Sequence, residues 1–271
     1  MPSLNDLDPA IKARLSAETL KGMSFLEHLE ELRKRIIWSF VYIAGGFAVC
    51  YYFHEQIYGL MQKPIMSTLK AHGLDQKLVY LNPTDPFNMY LKVSFIAGLF
   101  LASPFVLYQV WLFISPGLYR NERRYVLPFM FSTVGLFLAG GVFAYKMVYP
   151  AALDFLIGYS KQFAPMITIG EYTDLFMTII VGLGLVFEMP ILVFFLALMG
   201  IVSAKWMWKN LRYSILVIFV IAAIITPTTD IMNMCVFAAP MIVLYVVSIG
   251  VAWLVHPKNR RKRQEAKEQQ G

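Results

Sequence analysis

The sequence predicts an all-α, polytopic membrane protein with six transmembrane helices and both termini in the cytoplasm. Three observations carry that prediction. Of 271 residues, 58% are hydrophobic and 15% are charged, a balance that a soluble domain of this length does not need. The apolar residues fall in runs, and most of these runs approach or exceed the roughly 20 residues that an α-helix needs to cross a bilayer. Eighteen of the 24 Lys and Arg residues lie before the first run, in the segments after the second and fourth, or in the tail. Only six lie on the other side, and an excess of basic residues marks the cytoplasmic face. The same clustering makes the net charge of +7 a matter of topology and argues against nucleic-acid binding.

Residues 1–24 are polar and contain Pro2 and Pro9. They have no apolar core of signal-peptide type and read as a separate polar segment. From Phe25 the sequence F-L-E-H-L-E-E-L-R-K-R places Phe25, Leu29, Leu32 and Ile36 on one helical face, with Glu27, Glu30, Glu31 and Lys34 largely opposite. Ser24 and Glu27 form a capping-box start. Glu30 with Lys34, and Glu31 with Arg35, make i,i+4 pairs in the favourable order. This is an amphipathic surface helix that runs into span 1, about 36–53.

Residues 54–86 are too polar to cross. Ile57, Leu60, Met61, Ile65 and Leu69 keep helical spacing around Pro64, which predicts one or two short interfacial helices capping the outer face. Span 2, about 93–115, lies in a run free of charge that extends to Tyr119. Pro104 predicts a kink in it and Pro116 its end. Asn121 is suited to cap the next helix. Span 3 covers about 125–145, where Gly135, Gly140 and Gly141 allow close helix contact. Lys146, Pro150, Asp154, Lys161, Pro165 and Glu171 predict a loop reaching Asp174. Span 4 covers about 175–200, with Glu188 near its middle. Span 5, about 213–229, has 17 uncharged residues, or about 26 Å of helix. Span 6 covers about 231–254, in a membrane domain of 25–256. Residues 257–271 form a basic tail. Cys50 and Cys235 both lie in apolar runs and read as packing residues, with a bridge between them left open.

H-L-E-E-L-R-K-R before the first span, L-Y-R-N-E-R-R between spans 2 and 3, F-E-M-P within span 4 and T-P-T-T-D before span 6 occur in an order and on faces that resemble the TatC family. That family supplies the multi-span receptor subunit of the twin-arginine protein translocase. The resemblance covers about Phe25 to Leu254 and implies a concave, glove-like bundle. It also implies a receptor that binds twin-arginine signal peptides of folded cargo on the cytoplasmic side. The family works with TatA- and TatB-type single-span subunits, self-associates in a larger complex and is driven by the protonmotive force in a prokaryotic inner membrane.

By the same resemblance Glu31 and Glu122 each take one arginine of the signal peptide. A planar guanidinium offers a fork of donors that a carboxylate accepts bidentately. Two successive arginines in an extended peptide point apart and need acceptors from two elements. On local grounds alone, Glu122 is a loop acid balanced by Arg120, Arg123 and Arg124. Leu32, Arg33 and Phe113 join the signal-peptide contact by resemblance, although Trp111 and Phe113 also suit interfacial anchoring. An ionisable residue at mid-span, such as Glu188, is costly and faces protein or water. A hydration or structural role, a polar partner on another helix and proton carriage are all open to it. Asp230 fits a turn after Thr-Pro-Thr-Thr. The family pattern continues with Ser-Gln, but Asn233 and Met234 stand here, leaving Thr226, Asp230 and Asn233 for the partner-helix contact.

The rival class is a proton-coupled secondary transporter of a small solute using Glu188, which predicts internal repeats with broken helices. No convincing repeat is visible. An intramembrane enzyme needs paired catalytic groups, and His28, His54, His72 and His256 lie outside the span centres. No catalytic set, metal-ligand cluster or cofactor motif is expected.

Overall fold

The computed structural model describes residues 25–114, 126–159, 166–225 and 231–255. Among them the chain is helical apart from short connections and one isolated parallel bridge, Val79 to Thr168. Five helical stretches are long and apolar enough to cross a membrane: Leu26–Tyr52, Asp85–Phe113, Met130–Tyr159, Ile169–Leu198 and Met234–Leu254. A sixth apolar helix, Leu211–Ile225, is shorter.

Helix α1 (Phe25–Tyr52) contains the amphipathic stretch and the first apolar run without a break. It packs along α4 (Asp85–Ile114), which keeps Pro104 inside it. The two backbones meet at Gly46 and Gly98. A Cβ on Gly46 would lie 2.6 Å from the Gly98 carbonyl oxygen, and one on Gly98 would lie 2.6 Å from the Phe47 nitrogen. Only hydrogen fits between them. Phe25 marks the near end of the bundle.

At the far end, α2 (His54–Met61) and α3 (Lys63–Ala71) form the expected pair of short helices. Pro64 sits in the first turn of α3, where its missing N–H is not needed. The last carbonyls of a helix lack intrahelical donors. Here two tyrosines supply them: the Tyr145 hydroxyl donates to the Leu60 carbonyl at 2.7 Å, and the Tyr172 hydroxyl to that of Met61 at 2.6 Å. Met61, Ile65 and Leu69 insert into the main core beneath.

The loop expected from Lys146 to Asp174 is instead helical as far as Tyr159 and again from Ile169. Helix α5 (Val126–Phe143) passes through a π-helical turn, Ala144–Val148, into α6 (Tyr149–Tyr159). Pro150 removes one donor and crowds the carbonyl four residues earlier. Widening the preceding turn absorbs that misfit without ending the helix. Of the three glycines expected at close contacts, Gly140 and Gly141 are so placed. A Cβ on Gly140 would come within 2.9 Å of the Leu183 carbonyl, and one on Gly141 would enter the Phe100 ring. Gly135 faces open space.

Helix α7 (Ile169–Val186) begins before the expected start of span 4. The Thr168 side chain caps it by accepting the Glu171 N–H at 3.3 Å. The helix ends at Val186, and after Phe187 and Glu188 α8 (Met189–Leu198) carries Pro190 in its first turn. Gly200, at φ +76°, ends α8, and the Ile201 N–H returns to the Leu196 carbonyl at 2.9 Å. Then follow α9 (Ala204–Lys209), α10 (Leu211–Ile225) and α11 (Ile231–Val255). Tyr245 ties these three together: its hydroxyl meets Ser214 at 2.7 Å and the Met207 carbonyl at 3.2 Å. Cys50 is buried, Cys235 is exposed and both are free thiols.

Candidate functional site

The near end of α1 and the C-terminal turns of α4 build a polar site from few residues. Glu31 and Arg35 stand one helical turn apart. The Arg35 Nη2 donates to Glu31 Oε1 at 3.0 Å, the i,i+4 pairing expected from the sequence. Glu30 and Lys34 form no such pair. The Glu31 side chain is only 14% exposed, so this pair is shielded from water more than a typical surface ion pair and is correspondingly less screened.

Gln109 on α4 completes the arrangement. It is 5% exposed, and its Oε1 accepts from Arg35 Nη1 at 3.3 Å. The Arg35 fork is thereby shared between a carboxylate on its own helix and an amide on the neighbouring one. Two buried atoms are left without a partner among the described residues: Glu31 Oε2 and Arg35 Nε. The sequence signal for Gln109 was slight. It is the one side-chain amide in the uncharged run 93–119.

One turn toward the near end, the His28 ring stacks on Phe113 with centroids 4.4 Å apart and planes 17° from parallel. Both rings are half-buried. Leu32 is half-buried and Arg33 is exposed on α1. Trp111 is not an interfacial anchor. It is 3% exposed and donates to Thr133 Oγ1 at 3.2 Å. It packs edge-on against Phe195 in a core shared with Ile191, Phe194 and Leu198. Glu122 lies outside the described residues.

Glu188 lies at the break between α7 and α8. Its backbone carbonyl accepts from both Ile191 and Leu192, which starts α8. The side chain is half-buried, and its Oε1 is buried without a hydrogen-bond partner among the described residues. The acid thus occupies an interruption in the helical ladder of a membrane-length stretch. Thr226 and Asp230 lie outside the described residues; Asn233 lies in the first turn of α11. Among the described residues no group of three His, Cys, Asp or Glu side chains is placed to hold a metal ion.

Comparison with known proteins bears on this arrangement. The family described as Sec-independent protein translocase protein (TatC) matches residues 27–240. A Sec-independent protein translocase protein TatC of Koribacter versatilis (strain Ellin345) is 82% identical over 270 residues, spanning 100% of this chain and 99% of the relative. The protein of the same description from Carboxydothermus hydrogenoformans is 38% identical over 239 residues, 88% of this chain and 96% of the relative. A crystal structure of a twin arginine translocase receptor TatC superposes with a TM-score of 0.75 at 34% identity, over 84% of this chain and 99% of that one. On this extent of identity and shared architecture, the chain belongs to the TatC family.

Proposed function

We propose that the chain is the signal-peptide receptor of a twin-arginine translocase, a transport component with no catalytic centre of its own. The observation that carries this reading is the shielded Glu31 carboxylate. Oε1 is held by Arg35, and Oε2 is buried and unpartnered. An isolated buried carboxylate oxygen is costly. A guanidinium brought to it forms a charge-assisted hydrogen bond. Glu122, on the segment joining α4 to α5, takes the second arginine. Leu32, Arg33 and Phe113 line the approach.

In this reading α10 is the sixth crossing, and the near end faces the cytoplasm of a prokaryotic cell, with both termini there. TatA- and TatB-type subunits complete the machine, which moves folded proteins outward at the expense of the protonmotive force. The partner-helix contact falls to Thr226 and Asp230, which precede α11 in sequence, and to Asn233 in its first turn.

The test is arginine-dependent cross-linking of a twin-arginine signal peptide in membranes. Glu31→Ala, Glu122→Ala and the double variant are each compared with wild type, using Arg-Arg and Lys-Lys peptides. We expect each single variant to lose most of the cross-link and the double variant to lose all of it, at normal protein levels. Cross-linking that ignores both the arginines and the acids would return Glu31 and Glu122 to structural roles.

A further inference from the structure

The two unpartnered buried atoms beside Gln109 are complementary in kind. Glu31 Oε2 is an acceptor and Arg35 Nε carries a donor hydrogen. They belong to two side chains already joined through Nη2 and Oε1. The usual arrangement of such a pair is fork to fork, with two parallel hydrogen bonds closing on both carboxylate oxygens. Here Gln109 Oε1 draws Nη1 toward α4. The guanidinium meets the carboxylate through one nitrogen only, and one acceptor and one donor are left over.

A guanidinium alone cannot satisfy both leftovers, because it has donors and no acceptor. A lone anion cannot either, because it would meet Oε2 with like charge. An arginine within an extended peptide offers both kinds of group: donors on its side chain and a main-chain carbonyl a few ångströms along the backbone. We propose that Arg35 is itself a signal-peptide contact, its Nε–H taking a main-chain carbonyl beside the arginine whose guanidinium binds Glu31 Oε2. Gln109 is the positioning residue that keeps Arg35 Nε available. This rests on the receptor reading above and adds to it a way to read backbone as well as side chain. The site then distinguishes an arginine in an extended segment from a free guanidinium.

The experiment uses the full chain in bilayer nanodiscs and fluorescent signal peptides in which single amides flanking the arginine pair are replaced, one at a time, by esters. An ester carbonyl is a weaker acceptor, and the side chains are unchanged. In wild type one ester position is expected to weaken binding about fivefold, the scale of one hydrogen bond. In Arg35→Lys, which keeps the charge and loses Nε–H, that position is expected to become neutral. In Gln109→Leu the Arg35 fork is free to close on both oxygens of Glu31. Arginine-dependent affinity is then expected to fall about tenfold, on the scale of a charge-assisted hydrogen bond, with ester sensitivity lost. Should Arg35→Lys fail to accumulate, the wild-type scan and Gln109→Leu decide the matter alone. Arginine-dependent binding with every ester neutral in wild type overturns this inference, as does an ester penalty that persists undiminished in Arg35→Lys or Gln109→Leu. Equal binding of Arg-Arg and Lys-Lys peptides would instead overturn the receptor reading beneath it.

Discussion

Trp111 and Phe113 stand two residues apart on α4, and residues at that spacing point to different sides of a helix. The indole goes into the core against Phe195, while the Phe113 ring stacks on His28 beside Glu31. Their truncations should therefore separate stability from recognition. Trp111→Ala removes a fully buried aromatic and should cost about 3–5 kcal/mol of stability, read as a fall in thermal midpoint in detergent. Phe113→Ala should leave stability within about 1 kcal/mol of wild type and weaken signal-peptide binding. A loss of stability in Phe113→Ala matching that in Trp111→Ala would contradict the division. The pairing of Glu31 with Arg35 was legible because i,i+4 spacing within a helix fixes it. Gln109 was not, because its partner lies 74 residues away in sequence. The crossing of α1 and α4 sets that meeting, and no local pattern records a crossing.

At the scale of elements, α1 depends on that same crossing. Most of its residues are exposed or half-buried, so little else fixes it to the bundle. A Cβ on Gly98 would meet backbone atoms, Phe47 nitrogen at 2.6 Å and Phe47 Cα at 2.7 Å, and backbone cannot rotate away as a side chain can. Gly98→Ala should push α1 outward, cost about 1–3 kcal/mol and speed amide exchange in α1 before the rest of the bundle. Exchange rising evenly in all helices would show that α1 is not separately held. The helix boundaries differ from those expected. Glu188 and Pro190 mark a break inside what reads as a single span, Pro150 only widens a turn, and Thr168 starts a helix in what reads as loop. Proline and charge mark places where a helix is strained. Whether the chain leaves the helix there depends on neighbours such as Tyr172 and Asp154, which bind the far-end cap through Met61 and His72.

At the scale of the whole molecule, the helices differ in reach. Helix α10 has 15 residues, or about 22 Å at 1.5 Å per residue, against a hydrocarbon core of about 30 Å. Its neighbour α11 has 25 residues and spans the core with length to spare. Tyr245 and Ser214 hold the near ends of both helices together, so if α10 is the sixth crossing proposed above, its shortfall falls at the far end. A span that is too short is accommodated by a thinner bilayer or by drawing its flanks inward. The protein should therefore be most stable in lipids with shortened chains. Inserting four leucines after Ile224 adds about one turn, or 6 Å, and should move that optimum toward thicker bilayers. Thermal midpoints across a series of phosphatidylcholine chain lengths measure both. A midpoint indifferent to chain length, or an optimum unmoved by the insertion, would mean that the loop after α10 makes up the missing depth and the surrounding lipid is undisturbed.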